Sequence, residues 1–186
     1  MLTVYKPQGL TPLQTIRLLQ KKYAEYRNRT ISYAGRLDPM AEGLLLLLVG
    51  DENKKRNDYE ALTKTYEFEI ILGVSTDTYD LLGLITSQTP LSPKSSLPKQ
   101  ISHILPTFIG NHDQPYPPYS SKPVHGKPLY WWAREGKLNE ITIPTKEVTI
   151  TSLSLLSSRS LPADELKKDI LMSIARVSGN FRQNEI

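Results

Sequence analysis

Residues 32–50 read SYAGRLDPMAEGLLLLLVG, and the two halves of this stretch ask for different backbones. Residues 44–49 are an unbroken apolar run closed by Gly50, the pattern of a strand buried on both faces. Just upstream, Gly35-Arg36-Leu37-Asp38-Pro39 cannot carry that strand backwards. Pro39 lacks an amide donor and pushes Asp38 out of the helical region. Asp38 is therefore expected on a tight loop beside a rigid core element. A carboxylate so placed is either a turn-former or a reactive group held on a scaffold. Asp before Pro is a common turn signal, which by itself favours the first reading.

Upstream, residues 4–9 (VYKPQG) read as a short extended piece turned by Pro7 and Gly9. Lys6-Pro7 taken alone reads as a solvated turn. Thr11-Pro12 is a helix start, with Thr as N-cap and Pro at the first helical position. Leu13, Ile16, Leu19 and Tyr23 follow at helical spacing, so a helix is expected to about Arg27. Arg17, Lys21 and Lys22 occupy its other face and read as a solvated surface.

Downstream, residues 51–58 are charged and loop-like. Residues 64–73 (KTYEFEIILG) alternate, with Tyr66, Phe68, Ile70 and Leu72 on one face and Thr65, Glu67 and Glu69 on the other. That period predicts a strand with Tyr66 pointing inward. In residues 74–83 (VSTDTYDLLG), Asp77 and Asp80 read as turn-formers. Residues 87–98 are a Ser/Pro-rich connector. Residues 97–109 read as a helix bent near Pro106. Residues 111–126 hold four prolines and few apolar residues, a loop too long to be packing alone. Further strands are expected at 143–156 and 169–177, with a connector at 161–165 between them.

The chain has 186 residues, 39% hydrophobic content and a formal charge of +4, with a pI near 9.2. That length fits one domain, or one domain with an inserted lobe. The mild basic bias is compatible with a polyanionic partner without demonstrating one. With no cysteine, disulfide and thiolate chemistry are excluded. His103, His112 and His125 are scattered without carboxylate partners at ligand spacing, so no metal site is expected. The longest apolar run is far short of a membrane span, and residues 1–6 lack a signal-peptide pattern. The default expectation is a soluble cytoplasmic protein, monomeric, with no membrane partner.

The segment A-G-R-L-D-P-M-A-E-G-L-L resembles the catalytic motif of the TruB family of RNA pseudouridine synthases, G-x-L-D-P-x-A-x-G-x-L. Other matches follow in order. Lys6-Pro7-Gln8-Gly9 resembles the family's K-P-x-G motif. Residues 74–83 resemble its T-D-T-x-D-x-x-G turn. Residues 111–126 resemble the segment Q-x-P-P-x-Y-S-A-x-K-x-x-G, and residues 130–136 resemble the helix Y-x-x-A-R-x-G. The resemblance runs from Val4 to Arg182. It implies Asp38 as nucleophile, Tyr66 against the target base and Arg182 as the countercharge that keeps Asp38 ionised. Lys6, Pro7 and Asp77 would support the site. Tyr33 stands where many members have a histidine that contributes to RNA binding. Tyr33, Arg36, Tyr119, Lys122 and Lys127 are the expected RNA contacts, suited to stacking and phosphate contact.

The resemblance implies the α+β pseudouridine synthase fold, a central mixed, mainly antiparallel sheet with flanking helices and a cleft across it. Residues 1–186 would form a single catalytic domain, with an inserted RNA-contacting loop and helix region at 87–136. Family members usually continue beyond Arg182, so a short form without the C-terminal RNA-binding domain is expected. The implied reaction isomerises uridine to pseudouridine, most simply uridine 55 in the T-loop of tRNA. It involves no redox change and no net hydrolysis, so no cofactor is expected. The competing reading is a catalytically impaired RNA-binding or RNA-folding module of the same fold. An unrelated α/β hydrolase-type enzyme built on Asp38 would need a cleft base that no histidine spacing suggests.

Overall fold

The computed structural model describes residues 1–90 and 96–179. They fall into two compact units, residues 1–70 with 164–179, and residues 71–90 with 96–163.

In the first unit the apolar half of residues 32–50 does become a central strand. β1 (Leu2–Lys6), β2 (Ile31–Ala34) and β3 (Gly43–Val49) form an antiparallel sheet in the order β1-β3-β2. Leu47 sits opposite both Leu2 and Tyr33, and Leu45 opposite Val4. These residues share the face that packs on α1 (Pro12–Lys22), where Ile16, Leu45 and Leu47 form the buried core with Leu2, Val4, Leu19, Ile31, Tyr33 and Leu37 against them. The other face of β3 is graded. Leu48 is buried and Leu44 is 76% exposed, so burial on both faces holds only toward the C-terminal end of the strand.

The start of α1 follows from its sequence. The Thr11 side chain accepts the Gln14 amide at 3.2 Å, and the Gln14 side chain accepts the Thr11 amide at 2.7 Å, a reciprocal capping box. Pro12 follows at the first helical position. The helix ends at Lys22 rather than Arg27, because Tyr23 turns to extended backbone (φ −119°). A short 3-10 turn, Ala24–Tyr26, takes up the remainder. Thr11→Ala should cost about 1 kcal/mol, read as a lower denaturation midpoint with an unchanged denaturant slope.

The charged stretch expected as loop is helical, a 3-10 turn at Gly50–Lys55 running into α2 (Arg56–Glu60). Asn53 fastens it to the sheet, taking a hydrogen bond from the Ser32 hydroxyl and donating to the Gly50 carbonyl at 2.6 Å. The Tyr59 hydroxyl donates to Glu52 at 2.5 Å. The strand expected at 64–73 does not form. The backbone is irregular and residues 61–70 are all exposed. Its apolar alternation is real, but among the described residues no strand pairs with it. A ladder needs a partner as well as a face.

The second unit opens with a hairpin of β4 (Val74–Thr76) and β5 (Ile85–Gln88). α3 (Leu97–Ile104) then passes into a 3-10 turn, Leu105–Phe108, at Pro106. β6 (Gly110–Pro115) is followed by a tight hairpin of β7 (Pro123–Val124) and β8 (Lys127–Pro128) and by α4 (Leu129–Arg134). β9 (Thr145–Ile150) pairs antiparallel with β6. The strand expected over 143–156 is confined to those six residues. Gly136 ends α4 at φ +66°, the left-handed stop that glycine supplies without strain.

Of the residues expected as a strand at 169–177, 169–175 belong to α5 (Ala163–Ala175) and 176–177 follow its end. The run Ile170-Leu171-Met172-Ser173-Ile174-Ala175 has no alternation, and a short apolar run fits helix as well as strand. Asp164 and Glu165 in the first turn favour the helix, because acidic side chains there oppose the positive end of its dipole. The class is α+β, with strands spread over one three-stranded and three two-stranded antiparallel sheets among the described residues.

Candidate active site

Asp38 lies on the turn that feeds β3. The turn is closed by the Ala41 amide donating to the Asp38 carbonyl at 3.0 Å. Its next carbonyl, Pro39, accepts the Gly9 amide at 2.8 Å. The Lys-Pro-x-Gly loop thus grips the Asp38 turn through the backbone. Leu37 packs against the core cluster, so the residue before Asp38 is anchored too. The Asp38 carboxylate itself stands in solvent, 74% exposed, with the Arg36 guanidinium nitrogen Nε at 3.9 Å. At that exposure and distance the pair orients more than it stabilises.

Lys6 is the unexpected member. It is fully buried, which corrects the solvated-turn reading of Lys6-Pro7. Its ammonium donates to the Leu10 carbonyl at 2.7 Å and the Pro7 carbonyl at 3.1 Å, fixing the loop that holds Asp38. Burial pushes its pKa below the ordinary lysine value, while the Asp38 and Glu42 carboxylates pull it back up. A buried cation therefore sits behind the exposed carboxylate. Glu42 also accepts from the Tyr5 hydroxyl, and that bond, with desolvation second, raises the Tyr5 pKa.

The sign of the Lys6 shift fixes its effect on stability. The unfolded chain holds this proton to higher pH than the folded chain does. While Lys6 is protonated in both states, the cost of burying its charge does not change with pH. It is relieved as pH rises from the folded-state value toward 10.5, and stability rises in that window. Lys6→Met should lose about 1–3 kcal/mol at pH 7, because two carbonyls lose a charged donor. Stability of wild type relative to this variant should be flat near neutrality and increase just below pH 10.5. A difference that stays flat across that window would mean Lys6 is not a buried cation.

The remaining expected residues of this unit are placed as follows. Tyr66 does not point inward, being 64% exposed on the irregular segment. That segment starts beside the Asp38 loop, for a Cβ on Gly35 would lie 3.6 Å from the Lys64 side chain. Lys64 is in turn held by the Glu60 and Leu62 carbonyls at 2.8 and 2.7 Å. Tyr33 is half-buried in the core cluster, with the Arg56 guanidinium 5.8 Å from its ring centre. Pro7 supplies one of the carbonyls that Lys6 binds. Arg182 lies outside the described residues.

The second unit carries the other expected residues. Asp77 is a turn-former: its carboxylate accepts the Leu84 amide at 2.8 Å and its own amide donates to the Leu84 carbonyl at 3.0 Å. Asp80 caps the same turn, accepting from Leu82 N at 2.9 Å and the Thr78 hydroxyl at 2.6 Å. The β7–β8 hairpin and α4 bring cations onto aromatic faces. The Lys127 ammonium lies 3.3 Å from the Trp131 ring centre, Lys137 5.9 Å from the same ring, and Lys122 5.0 Å from Tyr116. The Trp132 indole donates to the Val124 carbonyl at 3.1 Å, which locks the helix onto the hairpin. Tyr119 is half-buried just before Ser120, whose carbonyl accepts the Tyr130 amide at 3.1 Å.

Residues 21–175 match the family described as TruB family pseudouridylate synthase (N terminal domain). The chain belongs to the TruB family. Among its relatives is a tRNA pseudouridine synthase B of Caldanaerobacter subterraneus subsp. tengcongensis, 37% identical over 155 residues, 83% of this chain and 52% of the relative. The protein of that name from Fusobacterium nucleatum is 34% identical over 155 residues, 83% and 51% respectively. The one from Lactococcus lactis subsp. cremoris strain SK11 is 33% identical over 175 residues, 94% and 50%. The chain spans about half the length of the curated relatives it matches.

Within this TruB family chain, sequence reading gave no role to Glu42, Trp131 or Lys137, and it placed Gly9 in a turn and in the K-P-x-G motif without its contact to Pro39. Gly9 carried a signal, a glycine two residues after Pro7. Trp131 lies within the Tyr130–Gly136 motif and Lys137 directly after it, and both gain meaning only when the hairpin brings Lys127 over the indole.

Proposed function

We propose that the chain converts uridine to pseudouridine in tRNA, most simply uridine 55 of the T-stem-loop, with Asp38 as the nucleophile. The observation that carries this reading is the Asp38 turn: an accessible carboxylate on a loop held by Gly9, with the buried Lys6 cation behind it. Nucleophilic catalysis by a carboxylate needs an ionised, reachable group on a fixed support. Family membership and the relatives' names support the same chemistry. The N-glycosidic bond breaks, the base rotates, and a carbon–carbon bond joins it to the sugar again, so the atoms of substrate and product are the same. Tyr66 is assigned to the target base and Arg182 to the countercharge of Asp38, both on the resemblance. Residues 87–136 are assigned as the RNA-contacting region. Lys6, Pro7 and Asp77 act as supports.

The target uridine leaves its stack before it reacts, which costs a few kcal/mol, so an RNA loop with easily splayed bases suits the site. The test is incubation with unmodified tRNA followed by mapping of pseudouridine. A single new pseudouridine in the T-loop is the expected result. Binding of tRNA with no pseudouridine would replace this reading by that of an RNA-binding module.

RNA contact is assigned to Arg36, Tyr33, Tyr119, Lys122 and Lys127. Binding should weaken as salt rises, because each lysine or arginine on a phosphate releases counterions. Lys127→Ala should weaken binding to all RNA sequences alike and lower the salt slope by about one. Equal slopes for the variant and wild type would remove Lys127 from the contact set.

A further inference from the structure

We propose that Ser178 is a positioning residue for the Asp38 turn, acting through the peptide groups of Gly9. The proposal rests on the reading of Asp38 as nucleophile. Gly9 is buried, and both of its backbone polar groups are taken. Its amide donates to the Pro39 carbonyl at 2.8 Å, and its carbonyl accepts the Ser178 amide at 3.0 Å. The Ser178 hydroxyl donates to the same carbonyl at 3.2 Å. One glycine therefore joins the turn that presents Asp38 to the segment that leaves α5, 169 residues away in sequence.

The hydroxyl is directed, not free to rotate. Gln14 Nε2 donates to Ser178 Oγ at 2.8 Å. Gln14 is itself pinned because its Oε1 accepts the Thr11 amide at 2.7 Å. With Oγ accepting from Gln14, the Ser178 hydrogen is left to point at Gly9. The donors then run in one order: Thr11 N–H to Gln14, Gln14 to Ser178, Ser178 to Gly9, and Gly9 to Pro39. Bonds aligned this way polarise one another. A second contact braces the same junction, Arg176 Nη1 donating to Gln8 Oε1 at 3.0 Å. Asp38 is the residue before Pro39, so the position of its carboxylate depends on how firmly the Pro39 carbonyl is held.

Removing only the hydroxyl leaves the Ser178 amide bond to Gly9 in place. Ser178 and its neighbour Gly179 are exposed, so Ser178→Ala neither opens a cavity nor strands a buried group. The effect is a looser Asp38 turn in a folded protein. A misplaced reacting group loses rate without losing binding, and about tenfold is the expected scale for a shift smaller than 1 Å.

The experiment compares full-length wild type, Ser178→Ala and Ser178→Thr. Amide exchange is followed at Gly9 and at Leu47, and the Asp38 side-chain carboxyl carbon is followed by NMR. In Ser178→Ala the Gly9 amide should exchange about five- to tenfold faster and the Asp38 resonance should move, with Leu47 unchanged, as expected of a local opening. Ser178→Thr keeps a hydroxyl and should restore both signals. Wild-type Gly9 exchange and an unmoved Asp38 resonance in Ser178→Ala would overturn the proposal. The same variants are assayed on tRNA under single-turnover conditions. Ser178→Ala should lose about tenfold in rate at unchanged RNA affinity, and Ser178→Thr should recover it. An unchanged rate in Ser178→Ala would also overturn the proposal. If wild type forms no pseudouridine, the functional reading fails instead, and the Gly9 and Asp38 signals alone decide whether Ser178 positions the turn.

Discussion

Asp38→Asn should remove the proposed pseudouridine formation, by about 10⁴-fold or more, and leave the fold as it is. The size follows from the role, since loss of a nucleophile removes the covalent route and leaves only binding and orientation. The harmlessness follows from the structure. The Asp38 carboxylate is largely in solvent, and the arginine that lies 3.9 Å from it, Arg36, is itself exposed. Neither is a source of much stability. The turn is held by backbone groups of Asp38, Pro39 and Ala41 that asparagine leaves untouched. Unfolding free energy should therefore change by no more than about 0.5 kcal/mol, as for a surface substitution away from any special feature. Affinity for tRNA should also persist. The measurement is single-turnover pseudouridine formation alongside a binding titration. An asparagine variant that works at the wild-type rate would end the assignment of Asp38. One that fails to fold would show that the carboxylate is structural, the turn-former reading that Asp before Pro suggests.

How legible the site was depends on whether its determinants are local. The cap of α1 was legible because Thr11, Pro12 and Gln14 lie within one turn and satisfy one another. The strand at 43–49 was legible because an apolar run of that length has few uses in a small protein. The Asp77 and Asp80 turn was legible because aspartate bonds to amides a few residues along. Residues 64–73 misled for a stated reason. Alternation specifies two faces, and strand formation also needs a neighbouring chain, which the local pattern cannot supply. α5 misled because an unalternating apolar run says only that something is buried. Lys6 reads as solvated in sequence because lysine almost always is. Only the carbonyls of Pro7 and Leu10, brought round by the turn, make its burial tolerable. The link from Gly9 to Ser178 has no local signature at all, joining two short segments near opposite ends of the chain.

Gly9→Ala should have the largest effect on the fold of any single methyl added in the first unit. Two costs combine. Gly9 has φ +93°, a conformation that an L side chain adopts only under strain. A Cβ there would also overlap the Arg176 carbonyl oxygen and lie 2.9 Å from the carbonyl carbon. Those are backbone atoms at the exit of α5, so no flexible side chain can swing aside. Either the loop moves off Pro39 or the chain around Arg176 moves off the loop, and each breaks a bond that Gly9 makes. Strain of about 1–2 kcal/mol and overpacking of about 1–3 kcal/mol give an expected loss of about 2–5 kcal/mol. The measurement is chemical denaturation of the full chain, followed by a probe in the first unit. Gly83 makes a useful contrast in the second unit. A Cβ there would crowd Asp77 Oδ1 at 2.7 Å and Thr76 Cβ at 2.8 Å, side-chain atoms of the β4–β5 turn. Gly83→Ala should therefore disturb that turn while leaving the Gly9 amide protected. A Gly9→Ala protein as stable as wild type would mean the loop has slack at this point. The grip on the Asp38 turn would then have to come from Lys6 rather than from Gly9.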